Sequence, residues 1–522
     1  MKFQIIIPMS GFGERFRRAG YTVPKPLIEV LGKPVIAHVL DMFPGEKEVH
    51  FICNQEHLNE PSFRMEETLR KYCPDGNIIG IAPHKKGPVY AVSRAFEYFI
   101  PDAPVIVNYC DFTCLWDWEG FKTYALNSRC DGAVMCYTGF HPHMLGSTNY
   151  AYVRNEKDRI LAIQEKKPYT ANPISEYASS GTYYFSSGAC MKKAFEETMR
   201  REDLLLNGEY YVSLAYVPML EKGMDIRVFE LDRFMQWGTP QDLEEFLFHA
   251  RIHRHLRVTS EVVKNEPAVG TTLIPMVGLG SRFSQAGYTA PKALISVDGR
   301  PMFLRAKADL PAGRHTVFVM RSDMPDFERV KSVLLEAEPN CDIKILPGMT
   351  EGQAVTCLEA MDMIDQEQPL TIGACDNGYI WNRDKFNAFL ADSSLDFIIW
   401  VQRNYPAGKR RPEMYGWVDA DEQGAVKAVS VKKPLKNPAS DPVVTGAFTF
   451  KRTADFARAA KRMLARNGRV NNEFYVDECC NDAIALGLRG AIFEVDAYIC
   501  WGTPDELRTY EYWHEVFKEW DL

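Results

Sequence analysis

Gly11, Gly13, Arg15, Pro24 and Lys25 recur, in the same order and spacing, as Gly278, Gly280, Arg282, Pro291 and Lys292. Glycines placed directly after an apolar strand let backbone N–H groups close on a phosphate with no Cβ in the way. Arginine adds a planar fork of donors, and lysine a mobile point charge. Together they suit a triphosphate and the negative charge that gathers on a leaving pyrophosphate. Met9 and Ser10, with Met276 at the second loop, join the four glycines as candidate nucleotide contacts. Arg15, Lys25, Arg282 and Lys292 are the candidate catalytic cations. A lone G-x-G is usually a plain turn, but here the whole string occurs twice, each time after the same kind of strand. It is not a Walker loop, which needs G-K-[ST], and the third glycine of a dinucleotide fingerprint is missing.

Two carboxylates are placed alike. Asp111 ends the run PVIVNYCD and Asp376 ends QPLTIGACD. A carboxylate at a strand end can hold Mg²⁺, which takes one or two carboxylates and completes its shell with phosphate oxygens and water. Such an ion would offset the repulsion between two phosphates.

These residues need a scaffold, and the scaffold is duplicated. Residues 7–34 and 274–301 match without a gap at 18 of 28 positions. KKPYTANP pairs with KKPLKNP, NGEYYV with NNEFYV, and WGTPQDL with WGTPDEL. A repeat of this length is a whole domain rather than a solenoid unit. The reading is one domain over 1–250, a linker over the polar stretch 251–270, and a second domain over 271–522. Within each half, short apolar runs such as FQIIIPM alternate with helix-like stretches such as MEETLRKYC, which predicts an α/β fold with a mixed, mostly parallel Rossmann-like sheet flanked by helices. Ligands of such sheets sit at the carboxyl ends of the strands, where the glycine loops and both aspartates fall. In WGTP, the threonine is expected to cap a helix that opens with proline.

Composition narrows the partners. The chain has 522 residues and a net charge of −8, with no basic field for nucleic acid. No apolar stretch is long enough to span a bilayer, so no membrane partner is expected. Thirteen cysteines without C-x-x-C spacing read as reduced thiols of a cytoplasmic protein. His249 and His253 have zinc-like spacing but no third ligand nearby, and read as helix surface. Oligomeric state is not legible.

The G-x-G-x-R and P-K-P-L strings resemble the sugar-phosphate nucleotidyltransferase family, over nearly the whole of each half. Both halves are similar to UTP–glucose-1-phosphate uridylyltransferases and capsule-biosynthesis nucleotidyltransferases. The resemblance implies Mg²⁺ as cofactor, an NTP and a sugar phosphate as partners, and an NDP-sugar plus pyrophosphate as products, for capsule or lipopolysaccharide synthesis. It also implies Asp111 and Asp376 as metal ligands. The family often has a second metal carboxylate in W-x-D-x-G-T-P, where this chain has Gln236 and Cys500; Asp232 and Asp496, six residues before the glycine, are the substitutes considered. On the acceptor side the resemblance implies Glu165 and Lys166, Glu209 and Glu473, and Gly181 and Gly446. In the second half Lys432 is kept but Val431 replaces the acid. Gly87 and Gly352 are aligned as base-pocket glycines, although Lys85 and Lys86 face Thr350 and Glu351. Three other readings remain: a cytidylyltransferase with a non-sugar phosphate acceptor, a glycosyltransferase using an NDP-sugar, or one half serving as a regulatory nucleotide-binding module.

Overall fold

In the computed structural model, which describes residues 2–146, 149–259 and 268–520, the run Gln4–Met9 forms strand β1 of a nine-stranded sheet. Its apolar side chains are buried almost without interruption, as a strand covered on both faces requires. β2 (Val49–Asn54) and β4 (Val105–Asn108) flank it in parallel, with Ile5 opposite both Val49 and Ile106. β3 (Asn77–Ile81) extends one side. The other side is mixed. β9 (Tyr177–Phe185) runs antiparallel to β4 and to β6 (Gly132–Tyr137). Beyond them lie β10 (Ile226–Glu230), β8 (Arg159–Glu165) and β7 (Ala151–Glu156). A separate ribbon pairs β5 (Phe112–Leu115) with β11 (Arg233–Gln236).

The chain divides into two compact units, Met1–Phe248 and His249–Leu522. The second has its own nine-stranded sheet. Its parallel side consists of β12 (Ala268–Pro275), β13 (Gly313–Arg321), β14 (Asp342–Leu346) and β15 (Leu370–Ile372). β20 (Val443–Phe450) and β17 (Phe397–Gln402) continue it in antiparallel, ending at β21 (Gly490–Glu494). A hairpin of β18 (Gly416–Ala420) and β19 (Val426–Val431) joins through β20. β16 (Asn377–Ile380) and β22 (Ala497–Cys500) form the matching ribbon. The stretch 251–270 is helical through Thr259, within Pro240–Thr259, and re-emerges as strand at Ala268; 260–267 lie outside the described residues.

Local signals produced the expected ends. Thr503 caps the helix Pro504–Glu519, its side chain accepting from the Glu506 N–H, and proline occupies the first turn. His249 and His253 correct the sequence reading. They are not on a helix surface but buried, 9% and 5% exposed, among Tyr510, Trp513 and Phe517. Their spacing puts both on the apolar face of the helix, where an imidazole serves as a flat packing surface. All thirteen cysteines are free thiols. Among the described residues no helix is long and apolar enough to cross a membrane.

Buried imidazoles are expected to make the N-terminal unit acid-sensitive. Burial holds His141 down at about 4 and His143 well below its ordinary value. A histidine whose pKa is lowered in the fold binds its proton in the unfolded chain first, so stability is lost as pH falls below about 6.5 and continues to fall toward 4. His141 alone is expected to remove about 2 kcal/mol between pH 8 and pH 5. Scanning calorimetry of the full chain at the two pH values reads this, and His141→Gln should flatten the dependence. An unchanged slope in that variant would place the acid sensitivity elsewhere.

Candidate active site

Both glycine loops leave the carboxyl end of their strand and turn at a left-handed glycine, Gly13 at φ 62° and Gly280 at φ 64°. There each chain enters one short helical turn, with Phe16 or Phe283 buried beneath it. The buried ring anchors a loop whose polar edge stays open.

The lysine of each P-K string folds back under its loop onto the aspartate. Lys25 Nζ donates to Asp111 Oδ2 at 2.7 Å and to the Gly238 carbonyl at 3.2 Å. Lys292 makes the same ion pair with Asp376 and donates to the Gly502 carbonyl at 3.4 Å. Burial opposes the Lys292 charge, yet the facing Asp376 more than offsets it and holds the ammonium above the ordinary lysine range. The paired side chains are 18% and 27% exposed in the N-terminal unit and 23% and 20% in the other, so solvent screens both charges only in part.

In the N-terminal unit a cavity of about 560 Å³ gathers most of the sequence candidates. Met9, Ser10, Gly11, Gly13, Gly87 and Glu209 line it, with Arg15, Lys25 and Asp111. The C-terminal unit has two smaller cavities of about 230 and 270 Å³, which share Lys292 and Asp376. Met276, Gly278 and Gly280 line the first; Arg282, Lys432 and Gly446 line the second. Arg282 therefore faces the acceptor side rather than the glycine loop. Glu473 and Gly352 line neither, although Gln353 beside Gly352 does.

The base-side glycines have equivalent surroundings. Gly87 sits at φ 83°, where a Cβ would meet Tyr210 N and O at 2.7 Å; at Gly352, φ 137°, it would meet Phe474 N at 2.4 Å. Tyr210 donates to the Lys86 carbonyl and Phe474 to the Glu351 carbonyl, which settles the alignment. The nearby charges are individually paired, Lys85 with Glu14 at 2.8 Å and Glu351 with Arg469 at 2.7 Å.

On the acceptor side of the N-terminal unit, Lys166 Nζ donates to Tyr211 Oη at 2.7 Å, and Tyr211 donates to Glu209 at 2.5 Å. Ser213 donates to Glu165, whose carboxyl burial pushes up against that hydrogen bond and the Lys166 charge. Gly181, at φ 102°, lets the backbone lie against Tyr109, where a Cβ would come within 3.0 Å of the ring; Gly446 packs likewise on Asn377. Lys166 and Lys432 share a left-handed backbone, φ 59° and 58°, and each donates its N–H to the equivalent tyrosine carbonyl, Tyr150 or Tyr415. Tyr109, Tyr211 and Ser213 were not singled out from the sequence. Tyr211 and Ser213 belong to the G-E-Y-Y-V-S string that carries Glu209, and Tyr109 stands two residues before Asp111.

Asp232 and Asp496 are corrections. Each precedes one strand of its ribbon, and that strand runs antiparallel to the one that follows Asp111 or Asp376. Arg233 is opposite Leu115 and Gln236 opposite Phe112, so Asp232 lies at the far end of the ribbon from Asp111. Asp496 likewise donates its N–H to Ile380 O, well away from Asp376. Gln236 and Cys500 occupy the near end, and among the described residues no group of three His, Cys, Asp or Glu is arranged to hold a metal. What remains fits Mg²⁺ in its substrate-dependent form: one strand-end carboxylate in each unit, Asp111 or Asp376, with small Gly238 or Gly502 beside it.

The glycine loop and the lysine–aspartate pair of each unit thus meet at the strand ends of a mixed α/β sheet, where such sheets bind their ligands. Residues 4–208, within the N-terminal unit, match the family model described as nucleotidyl transferase. It is 25% identical over 191 residues to a UTP–glucose-1-phosphate uridylyltransferase of Synechocystis, covering 34% of this chain and 48% of that protein. It is 24% identical over 260 residues to the bifunctional protein GlmU of Paraburkholderia phytofirmans, covering 48% and 52%. The chain thus spans about half the length of the curated relatives it matches. Among solved structures it is similar to a nucleoside-diphosphate-sugar pyrophosphorylase from Vibrio cholerae, at 22% identity and TM-score 0.37 over 46% of this chain and 98% of that one. A UTP-bound UGPase from Acinetobacter baumannii is similar at 15% identity and TM-score 0.38, over 50% and 100%.

Proposed function

We propose that each unit catalyses nucleotidyl transfer from an NTP to a sugar phosphate or a related phosphorylated acceptor. An acceptor phosphate oxygen bonds to the α-phosphorus, the bond from that phosphorus to pyrophosphate breaks, and a nucleotide-activated product leaves. The observation supporting this reading is the lysine–aspartate pair, built twice beneath a glycine loop and beside an acceptor-side pocket.

The glycine loop orients the triphosphate through backbone N–H groups, and Lys25 or Lys292, with Arg15 or Arg282, stabilises charge developing on the leaving group. The acceptor oxygen is already ionised at neutral pH, so no side chain has to remove a proton. Asp111 or Asp376 would hold Mg²⁺, which would supply charge neutralisation between the phosphates. Lys166 and Lys432 hold the acceptor phosphate. A nucleotide-activated sugar suits capsule or lipopolysaccharide assembly, and thirteen free thiols suit the reducing cytoplasm.

The test is pyrophosphate release by the full chain, with each of ATP, CTP, GTP and UTP paired with glucose 1-phosphate, glycerol 3-phosphate or phosphocholine. Release is expected only when both substrates and Mg²⁺ are present, and excess EDTA should abolish it. Consumption of an NDP-sugar without any pyrophosphate would replace this reading with glycosyl transfer.

A further inference from the structure

Three positions that touch one another differ together between the two units. In the N-terminal unit Glu165 is the Cα partner of Ala151 across the β7–β8 pair, and Ser213 donates to its carboxylate. In the C-terminal unit the same strand pair is Val431 opposite Gly416, and Asp477 stands where Ser213 does. The acid has left the strand and reappeared at the start of the helix Val476–Ala485.

The third change makes room for the second. A Cβ built on Gly416 would lie 2.2 Å from Asp477 Oδ2, so the alanine of the N-terminal unit is incompatible with this carboxylate placement. Gly416 is in a strand, at no left-handed φ. Backbone freedom does not call for a glycine there, whereas the carboxylate does. Asp477 lines the acceptor-side cavity together with Lys432, Arg282 and Tyr475. Burial pushes it up to about 6, with the Lys432 charge acting the other way.

We infer that Asp477 is the acceptor-holding acid of the C-terminal unit, moved from strand to helix, and that it binds a hydroxyl of a polyhydroxylated phosphate acceptor. This rests on the transferase reading above. Lys432 already supplies a cation beside the carboxylate, so the group it awaits is a neutral donor rather than a second positive charge. Because the acid enters from the helix, it meets a different acceptor hydroxyl than Glu165 does, and the two units prefer different acceptors.

The experiment uses the full chain with Lys25→Ala, which silences the N-terminal unit, and the same NTP and acceptor panel. Asp477→Ser, a residue the N-terminal unit accommodates at this position, should raise KM for the hydroxyl-bearing acceptor about 10- to 100-fold, the scale of one hydrogen bond to a charged group. KM for the NTP should stay within about twofold, as the cut is confined to acceptor contacts. Gly416→Ala should act the same way while keeping the aspartate. The triple change Gly416→Ala, Val431→Glu, Asp477→Ser rebuilds the other unit's arrangement and should shift preference to the acceptor used by the Lys292→Ala chain. An unchanged acceptor KM in Asp477→Ser, or a loss confined to phosphocholine, would overturn the inference alone. No pyrophosphate from the Lys25→Ala chain with any pair would overturn it together with transferase activity in this unit.

Discussion

Lys25→Ala and Lys292→Ala are each expected to lower kcat/KM of their own unit by about 10²- to 10³-fold, the cost of removing one charged stabiliser of a developing anion. Each ammonium bridges Asp111 or Asp376 to the carbonyl that precedes the T-P helix, so it is held at the meeting point of loop, acid and helix start. The pair remains partly solvated, with side chains about one-fifth to one-quarter exposed. Folding should therefore lose only about 1 kcal/mol, the upper range for a pair in contact with water. Steady-state kinetics and thermal melts on the same preparations check both halves of the expectation. Equal loss of all activity in either single variant would mean that the units do not act independently. A melt lowered as much as the rate would mean that the lysines serve the fold rather than the chemistry.

Gly352→Ala should be the most damaging change of a single methyl group. Its φ of 137° is a conformation L-residues rarely adopt, and the new Cβ would lie 2.4 to 2.9 Å from backbone atoms of Phe474. Backbone cannot swing aside as a side-chain tip can. Strain of this kind costs about 1–3 kcal/mol before the clash is counted, so the total should exceed about 3 kcal/mol. Gly278→Ala is the control: nothing lies within 4 Å of its Cβ. That variant should melt normally yet bind nucleotide poorly, because the methyl group projects where the loop must meet phosphate. Denaturant titration with nucleotide-binding isotherms separates the two effects; a Gly352→Ala chain that melts normally would show that Phe474 yields.

Much of this was legible from the repeat. Strand ends followed from apolar runs stopping at glycine or acid, and matching the halves identified Lys25 with Lys292 and Asp111 with Asp376 without reference to any structure. Asp232 and Asp496 stand six residues before the glycine in sequence, but spacing along the chain does not give distance in a ribbon. Five residues of extended ribbon carry a side chain roughly 16 Å away, and only strand direction tells which end is near. His249 and His253 misled for a related reason: an i, i+4 pair marks one face of a helix but does not say which face is covered. Ser213 and Asp477 directly follow the paired strings NGEYYV and NNEFYV, so their exchange is legible in the sequence. Its meaning is not, since Gly416 and Val431 lie far away in sequence and become neighbours of Asp477 only through the hairpin register.

Lys166 and Lys432 hold a left-handed backbone that asparagine or glycine would adopt with less strain, by about 1 kcal/mol. Under the phosphate-holding role proposed for it, each lysine is therefore a place where durability and chemistry pull apart. A screen that ranked variants of this protein by heat resistance alone would favour replacing them, and its best survivors would be well-folded chains unable to grip a phosphate. Engineering for robustness has to exclude these two positions, however attractive their substitutions look on a melting curve.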